Sequence, residues 1–131
     1  MAKVSAVIKE NKYRTEIQAG THTIIADEPE ELGGKNEGVS PDELLAASLA
    51  TCTSITLRMY LDRKGWSVRS IIVDVDIQRD AKNNSSEFIR TIRVEGELDE
   101  KQQQRIVHIA NACPIHKTLT GTITVTTQLI S

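Results

Sequence analysis

The chemistry available to this chain is centred on two thiols. Cys52 and Cys113 are its only cysteines, 61 positions apart, and neither sits in a CxxC pair. Cys52 falls inside an apolar helical stretch, where a free cysteine reads either as a small core residue or, if a cation stabilises it, as a reactive thiolate. Cys113 precedes Pro114, which is pre-organised for a first helical position, so Cys113 is a candidate N-cap whose thiolate the orphan N–H groups would favour. It reads equally as a thiol that merely caps a turn. If the fold brings the two together, one thiolate can attack the O–O bond of a peroxide. The resulting sulfenic acid would then condense with the other thiol to a disulfide.

Other chemistries find less support. Cys113 and His116 form a CxxH pair, but two ligands fall short of a zinc site, and the spacing of His22 and His108 adds nothing. His116 reads instead as a residue that favours or packs over the Cys113 thiolate, and His108 as a surface helix residue. The sequence contains no GxSxG elbow, phosphate loop, dinucleotide fingerprint or HExxH. Ser48 and Ser54 read as helix residues satisfied locally. No metal or cofactor is expected.

The elements that must position these thiols follow from periodicity. Ala2, Val4, Ala6 and Ile8 alternate with other residues, as do Tyr13, Thr15 and Ile17, and a third short strand runs through 22–25. Three antiparallel strands are expected. Residues 27–39 break the pattern with Pro29, Gly33, Gly34 and Gly38, and predict a loop anchored by Leu32 that could cover a pocket. Ser40-Pro41-Asp42-Glu43 reads as N-cap, first helical residue and capping box. A long helix should follow, with Leu45, Leu49, Cys52, Thr56 and Met59 on one side, ending near Lys64 with Gly65 as left-handed cap. Its Ala- and Ser-rich inner half lets other backbones approach closely.

Ile71, Val73, Val75 and Ile77, then Phe88, Arg90, Ile92 and Val94, predict a hairpin turning at 82–86. A second helix is expected over 100–111 with Ile106, Ile109 and Ala110 inward, then a short helix opened by Cys113-Pro114. A last strand should carry Ile123, Val125, Thr127 and Leu129 on one face. Strands and helices without regular alternation give an α+β class and one domain over 1–131.

Composition sets the outer bounds. The chain has 131 residues, 39% hydrophobic and only 3% aromatic, so its core must come from Ile, Val, Leu and Ala. A monomer of this size buries only about two-thirds of its unfolded surface, which motivates a dimer. With 16 basic and 18 acidic residues and no basic block, a nucleic-acid partner is not expected; the charges at 99–105 read as the solvated side of a helix. The amino terminus lacks a continuous apolar signal region and no apolar run of membrane-spanning length is found, so no membrane association and a cytoplasmic location are the expectations.

Residues 40–52, SPDELLAASLATC, continued by Thr53 to Gly65-Trp66, resemble the signature helix of the OsmC/Ohr family. Cys113-Pro114-Ile115-His116-Lys117-Thr118-Leu119 resembles that family's second-cysteine segment, and the resemblance covers nearly the whole chain. It implies an OsmC-like fold, with antiparallel sheets around a long central helix in an intertwined homodimer. It also implies a hydroperoxide reductase in which Cys52 is peroxidatic and Cys113 resolving, acting on organic hydroperoxides with a dithiol or protein-bound lipoyl reductant. An acidic residue at the start of the helix would orient a catalytic arginine. Asp42 directly follows the helix-starting proline, and Glu43 is acidic as in another branch. The family's arginine lies in the amino-terminal strands in a glycine-rich setting absent here. Arg14 is the arginine of that region, while Arg58 lies about a third of a turn off the Cys52 face.

Two rival readings accompany this one. The chain could be a small-ligand-binding or stress-related protein of the same fold without efficient peroxidase activity. Alternatively, Cys52 could be a nucleophile toward an electrophilic metabolite.

Overall fold

The computed structural model describes residues 2–130, which form two compact units divided within one long helix, between Ala46 and Ala47. In the first unit, β1 (Ser5–Ile8), β2 (Thr15–Ala19) and β3 (His22–Ala26) make an antiparallel sheet in that order. Ile17 faces Ala6 on one side and Ile24 on the other, as the alternation requires.

Segment 27–39 holds a single turn of 3-10 helix, Glu30–Leu32, and is tied down by Asp27 rather than by an apolar anchor. The buried Asp27 carboxylate accepts hydrogen bonds from the backbone N–H groups of Tyr13, Glu28, Lys35 and Glu37 at 2.7–3.3 Å. Burial acts to raise its pKa, but those four N–H groups outweigh it and hold the carboxyl below its usual range. The expected anchor, Leu32, is 64% exposed. A loop whose backbone donors converge on one carboxylate has no need of it.

The long helix α1 (Pro41–Lys64) begins and ends where its caps predict. Ser40 N–H donates to Glu43 Oε1 at 2.8 Å, and Glu43 N–H donates to Ser40 Oγ at 3.1 Å. Gly65 follows with φ 72°, a left-handed value that favours glycine.

In the second unit α1 buries Leu49, Thr53, Leu57, Tyr60 and Leu61, a stripe at helical spacing. This corrects the expected face: Leu49 is buried, but Leu45 and Met59 are exposed, Met59 at 65%, and Cys52 and Thr56 lie at the margin. The helix is apolar on more than one side, so composition alone leaves its inward direction open. Its length and a mean hydropathy of 1.3 over an 18-residue stretch also make it apolar enough to cross a membrane, where no apolar run of that length was expected. Only 28% of that apolar window is buried within the chain.

The hairpin of β4 (Ser70–Asp80) and β5 (Ser85–Glu95) is longer than expected and keeps the predicted pairing of faces. Ile71 lies opposite Val94, Val73 opposite Ile92, Val75 opposite Arg90, and Ile77 opposite Phe88. Helix α2 (Glu100–Ala110) starts at a capping box between Asp99 and Gln102. It packs Ile106 and Ile109 with Leu57, Tyr60, Leu61, Val68 and the inner hairpin residues into the core. Tyr60 meets Trp66 edge to face at 5.7 Å and accepts a hydrogen bond from Arg105. Helix α3 (Pro114–Thr120) follows, capped by Cys113.

The expected last strand does not form: residues 122–130 pair with no strand among the described residues. Val125 is 86% and Leu129 95% exposed. An apolar alternation specifies a strand only when a sheet edge is there to take its backbone hydrogen bonds. The architecture is α+β, with antiparallel sheets and a long helix.

Candidate functional site

Three elements of the second unit converge on Cys113. Thr53 enters because it belongs to the buried stripe of α1, and Cys52, its chain neighbour, is turned toward the margin of that stripe and is half-buried. Arg90 enters because it occupies an inward position of β5, between Phe88 and Ile92 on the same face. Cys113 arrives at the end of the turn that follows α2. There its own N–H donates to the Ala110 carbonyl, and its sulfur accepts the His116 N–H at 3.3 Å. The sulfur is wholly buried.

Arg90 organises the cluster. Its Nη1 donates to Thr53 Oγ1 at 3.0 Å, and its Nη2 donates to Asn111 Oδ1 at 2.8 Å and lies 3.1 Å from His116 Nδ1. Thr53 Oγ1 also donates to the Leu49 carbonyl at 2.7 Å and lies 3.7 Å from Cys113 Sγ. Burial and then the Arg90 charge push the His116 pKa below its ordinary value, so the ring is neutral near pH 7 and its Nδ1 accepts from the guanidinium.

Burial acts to raise the Cys113 pKa. The His116 N–H, the Thr53 hydroxyl, the Cys52 thiol and the Arg90 charge together outweigh it and leave the thiol below its ordinary value. Cys52 is thus among the side chains that act on Cys113, which puts it in the neighbourhood of that sulfur although 61 positions separate the two thiols in sequence. A cavity of about 260 Å³ opens beside Arg90 and His116, lined also by Leu49, Phe88, Leu119 and Glu87.

The other residues singled out from sequence have partners of their own. Asp42 and Glu43 belong to the first unit, both exposed in the first turn of α1. Glu43 is engaged in the capping box, where the Ser40 N–H and then its hydroxyl hold its carboxyl below the usual range. Arg14 pairs with Glu16 at 3.8 Å. Arg58 donates to Asp62 and to the Val68 carbonyl. Ser54 donates to the Ala50 carbonyl, the local satisfaction expected of it, and His108 is exposed.

Sequence reasoning missed Arg90 as a site residue, although the signal was present. An arginine in the inward register of a strand otherwise filled by Phe88, Ile92 and Val94 needs buried acceptors. Asn111 and Thr53 carried no such signal.

The OsmC-like protein family model matches residues 34–128. Among curated proteins, an uncharacterized protein of Bacillus subtilis (strain 168), YmaD, is 39% identical over 49 residues, covering 37% of this chain; the match spans about a third of that relative's length (33%). Solved structures match over far more. One, from Psychrobacter arcticus 273-4 and described as an osmotic stress induced and detoxification response protein, is 28% identical. It covers 89% of this chain and 85% of its own, with a TM-score of 0.75. The OsmC-like protein of Mycoplasma pneumoniae has a TM-score of 0.79 at 20% identity, over 92% and 88% of the two chains. The organic hydroperoxide resistance protein OhrB of Bacillus subtilis has a TM-score of 0.63 at 23% identity, over 92% and 91%.

Proposed function

Because the chain belongs to the OsmC-like protein family, we propose that it is a thiol-dependent peroxidase that reduces organic hydroperoxides through Cys52 and Cys113. The observation that carries this reading is the cluster of Thr53, Arg90 and the His116 N–H around the Cys113 sulfur, with Cys52 the chain neighbour of Thr53. That OhrB of Bacillus subtilis is named for organic hydroperoxide resistance adds support from the fold.

In this mechanism the more accessible Cys52 attacks as thiolate. Its sulfur bonds to the terminal peroxide oxygen, the O–O bond breaks, and the alkoxide leaves with a proton as ROH. Cys52 is then a sulfenic acid, oxidised by two electrons. The Cys113 thiolate attacks the Cys52 sulfur; the S–S bond forms, the S–O bond breaks, and hydroxide leaves with a proton as water. A dithiol, free or lipoyl-bound, returns the two electrons by disulfide exchange. Asp42 and Glu43 are assigned to the orientation of a cation near the start of α1. The test is consumption of cumene hydroperoxide with a dithiol present: turnover by the wild type that Cys52→Ser abolishes supports the reading, and equal consumption by both contradicts it.

The working form in this reading is a homodimer, with 1–131 as one domain and the cytoplasm as its compartment. The matched region 34–128 spans the division between the two units. Ile55 and Met59 expose apolar surface along a groove of about 460 Å³, and residues 122–130 offer an unpaired apolar alternation. A two-stranded hairpin also has open edges.

One observation favours a second reading. The cavity beside Arg90 combines Leu49, Phe88 and Leu119 with a cation, the makings of a small-ligand pocket in a protein without peroxidase turnover. A ligand that copurifies with the native protein, together with inert thiols, would select it.

A further inference from the structure

We propose that Arg90 is the positioning residue that holds the Cys113 sulfur as a thiolate, acting through the hydroxyl of Thr53. The inference rests on the reading of Cys113 as the resolving thiol and supplies what that reading lacks, a cation for it.

The argument begins with Arg90 itself. It is half-buried on the inner face of β5, and its three acceptors, Thr53 Oγ1, Asn111 Oδ1 and His116 Nδ1, are all neutral. Among the described residues no carboxylate pairs with it, although Glu87 lines the same cavity. A guanidinium drawn out of water without a counter-ion is costly, and an anion nearby offsets that cost. The sulfur of Cys113 supplies it. The titratable or charged groups that face this sulfur are Cys52 from α1, Arg90 from β5 and His116 from α3, and His116 is neutral.

Thr53 transmits the effect. Its hydroxyl has one hydrogen and two candidate acceptors, the Leu49 carbonyl at 2.7 Å and the Cys113 sulfur at 3.7 Å. The Arg90 N–H on its oxygen polarises the O–H bond and strengthens it as a donor. A neutral sulfur leaves that hydrogen on Leu49, whereas a thiolate competes for it and gains a second donor beside the His116 N–H. Resolution then starts from a ready nucleophile: Cys113 sulfur bonds to the sulfur of the Cys52 sulfenic acid, and hydroxide departs and takes a solvent proton.

The test is an ultraviolet titration of the thiolate in Cys52→Ser protein, where the serine keeps a hydroxyl donor and Cys113 is the only thiol. The expected midpoint lies below the ordinary thiol value of about 8.5. Arg90→Gln should raise it so that the thiolate fraction near neutrality falls about tenfold, and Arg90→Lys should restore most of the loss. A folded Arg90→Gln protein that titrates like its parent overturns the proposal. If Arg90→Gln does not fold, Thr53→Val decides the matter in the same assay, an unchanged midpoint again overturning it. No peroxide enters this measurement. Inert thiols toward hydroperoxide would therefore defeat the peroxidase reading without touching the titration.

Discussion

Arg90 on β5 donates to the hydroxyl of Thr53 on α1 at 3.0 Å, joining strand and helix across 37 positions of sequence. The same hydroxyl lies 3.7 Å from the sulfur of Cys113, so one threonine sits between a cation and a thiol. Arg90 also reaches Asn111 and His116, which flank Cys113 in sequence. The cysteine segment is thereby fastened to the hairpin.

Thr53→Val, which keeps the shape and removes the hydroxyl, should destabilise the reduced protein by about 1–3 kcal/mol because the Arg90 N–H loses its acceptor. Denaturant unfolding under reducing conditions measures it. A cost near zero would mean that water or another group replaces the hydroxyl.

The face of α1 used within the chain can be tested by paired truncations. Leu57→Ala, at a wholly buried position in the core, should cost about 2–5 kcal/mol. Met59→Ala, two residues on and 65% exposed, should change monomer stability by less than about 0.5 kcal/mol. Met59→Asp should weaken self-association in sedimentation if the exposed groove is the dimer face. Comparable losses of stability from Leu57→Ala and Met59→Ala would contradict the assigned inward stripe.

Segment 27–39 should loosen in acid. The Asp27 carboxyl is held below its ordinary pKa, so its contribution is fully present above that ordinary value of about 3.9 and is lost as pH falls through the folded one. Asp27→Asn should release amide protection at Lys35 and Glu37 even at neutral pH. Hydrogen exchange reads both effects, and unchanged protection in the variant would show that the turn holds itself.

The thiol of Cys113 gives a linkage of the same sign at higher pH. A folded-state pKa below the unfolded one makes the reduced protein gain stability as pH rises from the folded value to about 8.5, and lose that gain on acidification. Reduced Cys113→Ser protein should lack this slope. Parallel stability curves for the two proteins between neutrality and pH about 9 would contradict the shift.

Much of the fold was legible because its signals are local. The capping box at Ser40 and Glu43, the glycine at Gly65 and the alternation of Phe88, Arg90, Ile92 and Val94 each depend on a few neighbouring residues. What was misread depends on partners distant in sequence. The inward face of α1 is decided by the hairpin and α2, which select Thr53 and Leu57 over Met59. Leu32 was overvalued as an anchor because the backbone donors that gather on Asp27 leave no hydrophobic trace. The strand expected at Ile123 to Leu129 has the right pattern but pairs with none of the sheet edges among the described residues. The two cysteines were found from residue type, whereas their cation was not, since only the folded hairpin carries Arg90 to Cys113.

The central claim is that Cys52 and Cys113 form one redox pair, and peptide mass spectrometry after one equivalent of cumene hydroperoxide tests it most directly. The wild type should form a Cys52–Cys113 disulfide, Cys113→Ser should stop at the Cys52 sulfenic acid, and Cys52→Ser should remain reduced. Oxidation at neither thiol, or at Cys113 alone, would contradict it.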